Sequence, residues 1–215
     1  MNIVSIVGMK SILSGVKGVV AAVLVTSISS VTLAQGNAEA GAGKVAVCVA
    51  CHGQSGNESL LPNVPKLGAR GERYLLKQLQ EIKSGVRNVP LMAGMLTTMN
   101  DQDLADIAAH FNAQPLAQGA VDEAKLELGQ ALYRAGNAAI GVAACAACHA
   151  PDGKGNASAG YPALSGQDAA YAELTLRAFR AGERANDEAS IMRTIAARLS
   201  DVEIAALASY LSGLR

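Results

Sequence analysis

Near the C-terminus, apolar residues return every third or fourth position at Ile204, Leu207, Ala208 and Leu211. The same spacing joins Leu104, Ile107, Ala108 and Phe111 in the middle of the chain. Such a period puts one apolar stripe on an α-helix. Each stripe is preceded by a helix-starting signal. Ser200 with Glu203 is a capping box, and Asn100 with Asp103 is a weaker version of it. The pattern predicts helices beginning at Asn100 and Ser200. Two further amphipathic stretches predict middle helices that start near Glu72 and Asp168 and stop at Gly85 and Gly182, where glycine suits a C-terminal cap. Short helices are expected around "VCVACHG" (Val47–Gly53) and "ACAACHA" (Ala144–Ala150). No segment alternates convincingly as a strand would.

These elements come in two sets. Cys48, Cys51 and His52 fall on Cys145, Cys148 and His149 at an offset of 97. At the same offset Pro65 falls on Pro162, Leu67 on Leu164, Tyr74 on Tyr171 and Arg87 on Arg184. Beyond the arginines the second half gains three residues, and Met92 then falls on Met192. The chain therefore reads as a tandem duplication. Residues 35–113 form the first domain and residues 123–215 the second. The join at 114–122 carries Pro and Gly and no periodic apolar face.

Composition adds a difficulty. Half of the chain is hydrophobic, yet aromatic residues make up only 3% and there is no Trp. Small apolar side chains bury little area, so two protein-only cores of this size would be poor. Something bulky is expected to fill them.

Residues 1–34 read as a cleavable export signal, with the apolar run "GVVAAVLVTSISSVTLAQG" after Lys17. Cleavage is expected after Ala34, or second after Ala40. Met9-Lys10 makes a more ordinary signal start than Met1. The apolar run is short for a membrane span. Losing the signal removes Lys10 and Lys17 from a balance of 18 basic and 18 acidic residues, leaving a slightly acidic chain. That balance argues against nucleic-acid binding, and no basic run suits anionic lipid. Residues 35–118 carry seven charges of each sign, and residues 119–215 nine basic and eleven acidic. This difference fits two domains that dock on different partners.

All four cysteines and two of the three histidines lie in the two Cys-x-x-Cys-His pentapeptides. A thioredoxin-like redox pair would need strands alternating with helices around it. A zinc site would not need a His directly after each second Cys. Covalent haem attachment needs both the paired thiols and the adjacent His. Two thiols one turn apart can each add to a haem vinyl group, and the adjacent His52 or His149 then supplies the proximal iron ligand. Two covalently bound haem c groups would also be the missing bulk.

The distal ligand decides between carriage and catalysis. Past the signal, the methionines are Met92, Met95, Met99 and Met192. Met192 is the one candidate in the second half, and the repeat selects Met92 as its counterpart. Met95 and Met99 fall on Ile195 and Leu199 and read as apolar packing. His110, the remaining histidine, falls on Tyr210 and reads as a surface or packing residue. Pro65 and Pro162 each follow their His by the same interval, so their carbonyls are expected to orient the proximal rings. Tyr74, Tyr171, Arg87 and Arg184 are duplicated too. They suit haem propionates, the boundary between domains, or repeated packing and solvent positions.

The run of "VCVACHG", "PKLGARGERYLLKQL", "PLMAGMLTTMNDQDLADIAAHF", "ACAACHAPDGKGN", "YPALSGQ" and "SIMRTIAARLSDVEIAALASYLSGLR" resembles the dihaem cytochromes c4 from about Ala38 to Arg215. The resemblance implies an all-α fold of two tandem class I cytochrome c domains related by a pseudo-twofold axis. It implies a periplasmic carrier passing electrons from a quinol-oxidising complex to a terminal oxidase, with membrane association in some members. It also implies axial ligation by His52, Met92, His149 and Met192. The first domain departs from this pattern in lacking the long "LGQALYRAGNAAIGV" segment ahead of its motif. Competing readings are a dihaem peroxidase, which would need one displaceable ligand and acid–base residues beside it, and a cytochrome subunit of a dehydrogenase.

Overall fold

Capping decides where the long helices begin. The computed structural model describes residues 35–215, so the export segment 1–34 lies outside the described residues. The first half contains α1 (Ala38–Ala42), α2 (Ala46–His52), α3 (Glu72–Lys83) and α4 (Asp101–Asn112). The second half contains α5 (Glu123–Ala135), α6 (Ala146–His149), α7 (Ala169–Ala181), α8 (Ile191–Ala196) and α9 (Asp201–Gly213). Among the described residues there is no strand, only isolated bridges joining Asn137 to Val142 and Asn156 to Tyr161. The fold is all-α.

Both last helices open with a complete capping box. Asn100 accepts from Asp103 N at 2.9 Å, and the Asp103 carboxylate accepts from Asn100 N at 2.9 Å. Ser200 and Glu203 make the same pair of bonds. The shorter aspartate therefore serves as fully as the glutamate. Asp168 caps α7 by accepting from Tyr171 N at 2.8 Å. The α7 helix is capped by left-handed Gly182, and α3 ends at Lys83, two residues before left-handed Gly85.

Each half has its own core beneath its last helix. In the first, Leu75, Ile107, Ala108 and Phe111 meet, with Cys48 packed at the side. In the second, Tyr133, Ile204, Leu207 and Leu211 do so, with Cys145 beside them. Each buried large side chain contributes about 1.5–3 kcal/mol.

The first half does have a counterpart of the long segment before the second motif. It is the five-residue α1, which packs on α4 as α5 packs on α9. Both crossings are made through glycine. A Cβ on Gly41 would lie 2.1 Å from Asp106 O, and one on Gly129 would lie 2.4 Å from Ala206 O. No side chain fits between backbones that close. The α1 strap is further tied to α4 by Asp106, which accepts from Asn37 N at 2.8 Å and Lys44 Nζ at 2.7 Å.

The two halves meet through reciprocal bonds. Arg87 Nη2 donates to Tyr171 Oη at 3.0 Å, and Arg184 Nη2 donates to Tyr74 Oη at 3.1 Å. The repeat exchanges one bond for the other, so the boundary follows an approximate twofold. The duplicated Tyr and Arg residues thus meet each other across the boundary. Near that boundary Gln167 accepts from Lys66 N (2.8 Å) and donates to Lys66 O (3.0 Å). Its counterpart Arg70 donates through Nη1 to Ala163 O, the residue equivalent to Lys66, at 3.2 Å.

Candidate haem sites

The two pentapeptides sit on short helices near the edge of each core. One turn of helix brings Cys48 beside Cys51 and Cys145 beside Cys148. All four thiols are half-buried and unbridged. Burial pushes the Cys48 thiol up, and pushes Cys145 up to about 11. Among the described residues no group of three or more His, Cys, Asp or Glu side chains is gathered to hold a metal ion between them.

His52 and His149 end these helices, and both are buried. His52 Nδ1–H donates to Pro65 O at 2.8 Å, and His149 Nδ1–H donates to Pro162 O at 2.9 Å. The carbonyl fixes the tautomer and the ring plane, and leaves Nε2 as the nitrogen with a free lone pair. Burial lowers the proton affinity of both rings, against the pull of the proline carbonyls. A buried, neutral, oriented imidazole is what an iron ligand requires.

The residue after each His must turn sharply away. Gly53 does so at φ 76°, ψ 173°. Ala150 occupies the equivalent place at φ 65°, ψ 155°, a region that normally belongs to glycine. Tyr133, fully buried, donates its hydroxyl to Ala150 O at 2.6 Å and holds that strained peptide.

The methionine segments differ. Met92 ends a 3-10 turn at Pro90–Met92, while Met192 lies in the first turn of α8, and both are half-buried. The segment before Met192 is clamped. Asp187 accepts from Arg193 N at 3.0 Å and from Arg193 Nε at 2.7 Å. Position 93 is alanine, so the first half has no such pair. Met99 packs on the first core as expected. Met95 does not, because its turn faces outward and leaves it 41% exposed. His110 is half-exposed on α4, with Nδ1 3.3 Å from Ala38 O, and takes part in the α1 packing.

The sequence reading missed Arg70, Gln167, Gln78 and Asn186. Gln78 Oε1 accepts from Arg87, Arg184 and Asn186 at 2.9–3.0 Å. The residues next to Pro65 and Pro162, Lys66 and Ala163, are the ones held by Gln167 and Arg70 of the opposite half. The two segments that orient the histidines therefore abut. Cys48, Cys51 and His52 would hold a haem in one half and Cys145, Cys148 and His149 one in the other, each supplying a one-electron couple.

A family model described as cytochrome c matches residues 38–113 and 126–215. Cytochrome c4 of Azotobacter vinelandii is 50% identical over 92% of this chain and 99% of its own length. The structure of reduced recombinant cytochrome c4 from Pseudomonas stutzeri superimposes with a TM-score of 0.81 at 52% identity, covering 84% of this chain and 100% of that one. At lower identity, 32% over 79% of each chain, comes the thiosulfate dehydrogenase electron acceptor of Thiomonas intermedia. Paired thiols, a buried imidazole with its outer nitrogen free, and a twofold pair of class I domains all fit haem c. The chain belongs to the cytochrome c4 family, and is an electron-transfer protein, not an enzyme, with two covalently bound haem c groups.

Proposed function

We propose that this chain carries single electrons in the periplasm from a quinol-oxidising complex to a terminal oxidase, through two irons that each have a histidine and a methionine ligand. His52 and His149 give Nε2 to the iron on one side, and Met92 and Met192 give their sulfur on the other. Cys48, Cys51, Cys145 and Cys148 hold the haems covalently. The haems supply a one-electron couple, raised by methionine ligation. With both axial positions closed, oxygen, peroxide and nitrite have no site, and an electron moves with little rearrangement. The observation that carries this reading is the duplicated Nδ1–H bond to Pro65 and Pro162. It leaves Nε2 of both rings free for the iron.

We read residues 1–34 as a signal removed on export, 35–113 and 123–215 as the two domains, and 114–122 as the linker. Some association with the membrane surface follows from handling electrons between membrane complexes. Among the described residues no helix is long and apolar enough to cross a membrane.

Carbon monoxide added to the fully reduced protein tests the ligation. No spectral change is expected. A change amounting to one haem would mean that one distal ligand is absent or labile, and Met92→Ala and Met192→Ala would show which. The partners are tested by stopped-flow reduction with a quinol-oxidising complex and reoxidation by an oxidase. A second reading is favoured by the relative described as a thiosulfate dehydrogenase electron acceptor. Faster reduction by such a dehydrogenase than by the quinol-oxidising complex would select it.

A further inference from the structure

Arg70 lies at the boundary of the two halves and is only 2% exposed. Its Nη1 donates to Ala163 O at 3.2 Å and to Ser165 O at 2.8 Å, both in the other half. Its Nε and Nη2 are buried and have no hydrogen-bond partner among the described residues. Among the described residues no carboxylate pairs with it. Burial pushes the guanidinium down to about 10, against the pull of the Tyr74 and Tyr171 hydroxyls. Buried donors are almost always satisfied, and a buried charge is paired. Nε and Nη2 share one edge of the planar guanidinium. Two parallel N–H groups on that edge match the two oxygens of a carboxylate.

The haems bring such carboxylates with them. Arg70 follows Pro65 by five residues, and its Nη1 acceptors lie one and three residues beyond Pro162. The guanidinium therefore stands between the two segments that orient His52 and His149. We propose that the free edge of Arg70 binds a propionate carboxylate of one haem while Nη1 holds the opposite half. One side chain then joins a haem propionate to the backbone of the second half. The proposal rests on haem attachment at the two pentapeptides.

The repeat makes the pairing one-sided. At the equivalent position Gln167 has no charge, and its amide is already satisfied by Lys66 N, Lys66 O and Asp168 N. Of the two repeat positions, 70 alone can neutralise a propionate this way. A cation on that carboxylate disfavours the ferric state, so the haem it serves has its midpoint raised relative to the same haem without it.

Arg70→Gln in the haem-loaded protein tests this. Glutamine is the residue that makes the mirror-image carbonyl bond at position 167, so the boundary has a precedent for it. The expected result is a fall in one midpoint only, with a downward shift of one propionate-bending band in resonance Raman spectra. Paramagnetic NMR of the haem methyls assigns the affected haem to the first or second domain. Arg70→Lys keeps the charge without the flat two-donor edge, so it is expected to shift the same Raman band while the midpoint moves less. Unchanged Raman bands in both variants would overturn the proposal, whether the midpoints stay put or fall together. If Arg70→Gln fails to fold, an unchanged band in Arg70→Lys overturns it alone. Haem content and the methionine–iron charge-transfer band are recorded on every sample. A failure of the ligation reading shows there, in wild-type protein, without any change at Arg70.

Discussion

Replacing Tyr171 with Phe should weaken the protein more than replacing Tyr74 with Phe, although the two tyrosines are repeat counterparts. Each substitution keeps the ring and removes one hydroxyl that accepts from an arginine of the other half, at 3.0 Å for Arg87 and 3.1 Å for Arg184. A hydrogen bond to a charged group is worth about 1.5–3 kcal/mol. What differs is the number of partners each arginine keeps. Arg87 retains Gln78 Oε1 at 2.9 Å. Arg184 retains Gln78 Oε1 and Asn186 Oδ1, both at 3.0 Å, and stacks 4.6 Å from the Phe179 ring centre. Tyr171→Phe should therefore cost about 1.5–2 kcal/mol and Tyr74→Phe about 0.5–1 kcal/mol. Because Gln78 serves both arginines, the double variant should depart from additivity by about 0.5 kcal/mol or more. The assay is equilibrium urea unfolding of the haem-loaded protein, followed by far-UV circular dichroism and by haem absorption together. Two silent single variants would refute a holding role for the reciprocal pairs. A larger loss for Tyr74→Phe would refute the partner-counting argument.

Three other perturbations follow from the same geometry. Ala150→Gly should raise stability by about 0.5–2 kcal/mol, since relief of a glycine-only conformation outweighs the added freedom of the unfolded chain; a lower melting temperature would contradict this. Asp187→Ala removes both bonds to Arg193, should cost about 1–3 kcal/mol, and should open the second haem to carbon monoxide; a carbon monoxide titration identical to wild type would refute the clamp. The Asp106 carboxyl is held down to about 2 by Lys44, the Asn37 N–H and Gln102. Its folded pKa lies below its unfolded value of about 3.9, so its stabilisation is present above about pH 4 and is lost as the pH falls towards 2. The stability gap between wild type and Asp106→Asn should shrink across that window, and a gap constant from neutral pH down to it would count against the reasoning.

The repeat was legible because it was written in residue types with strong local meaning. Capping boxes, glycine stops and apolar stripes placed α3, α4, α7 and α9 to within a residue or two. The equal interval from His52 to Pro65 and from His149 to Pro162 foretold the ring-orienting bonds. What the sequence hid was tertiary. The α1 helix is one turn long and leaves no periodic trace, so its likeness to α5 rests on Gly41 and Gly129 meeting backbones that only the fold brings near. Arg70 and Gln167 differ in charge, so the repeat gave no reason to pair them, though they perform the same cross-boundary bond. Met95 shares the helical spacing of its neighbours, but the chain there is a series of turns, and the spacing does not bury it.

The glycine crossings also set an order of events during folding. In each half the first helix locks onto the last, and the cysteines lie between them. Until residues 101–112 have been made, α1 has nothing to pack on and the floor of the first core is missing. The same holds for α5 until residues 201–213 arrive. Each pair of thiols thus stays open until its last helix has docked, and the closing of a domain seals in whatever has been attached by then.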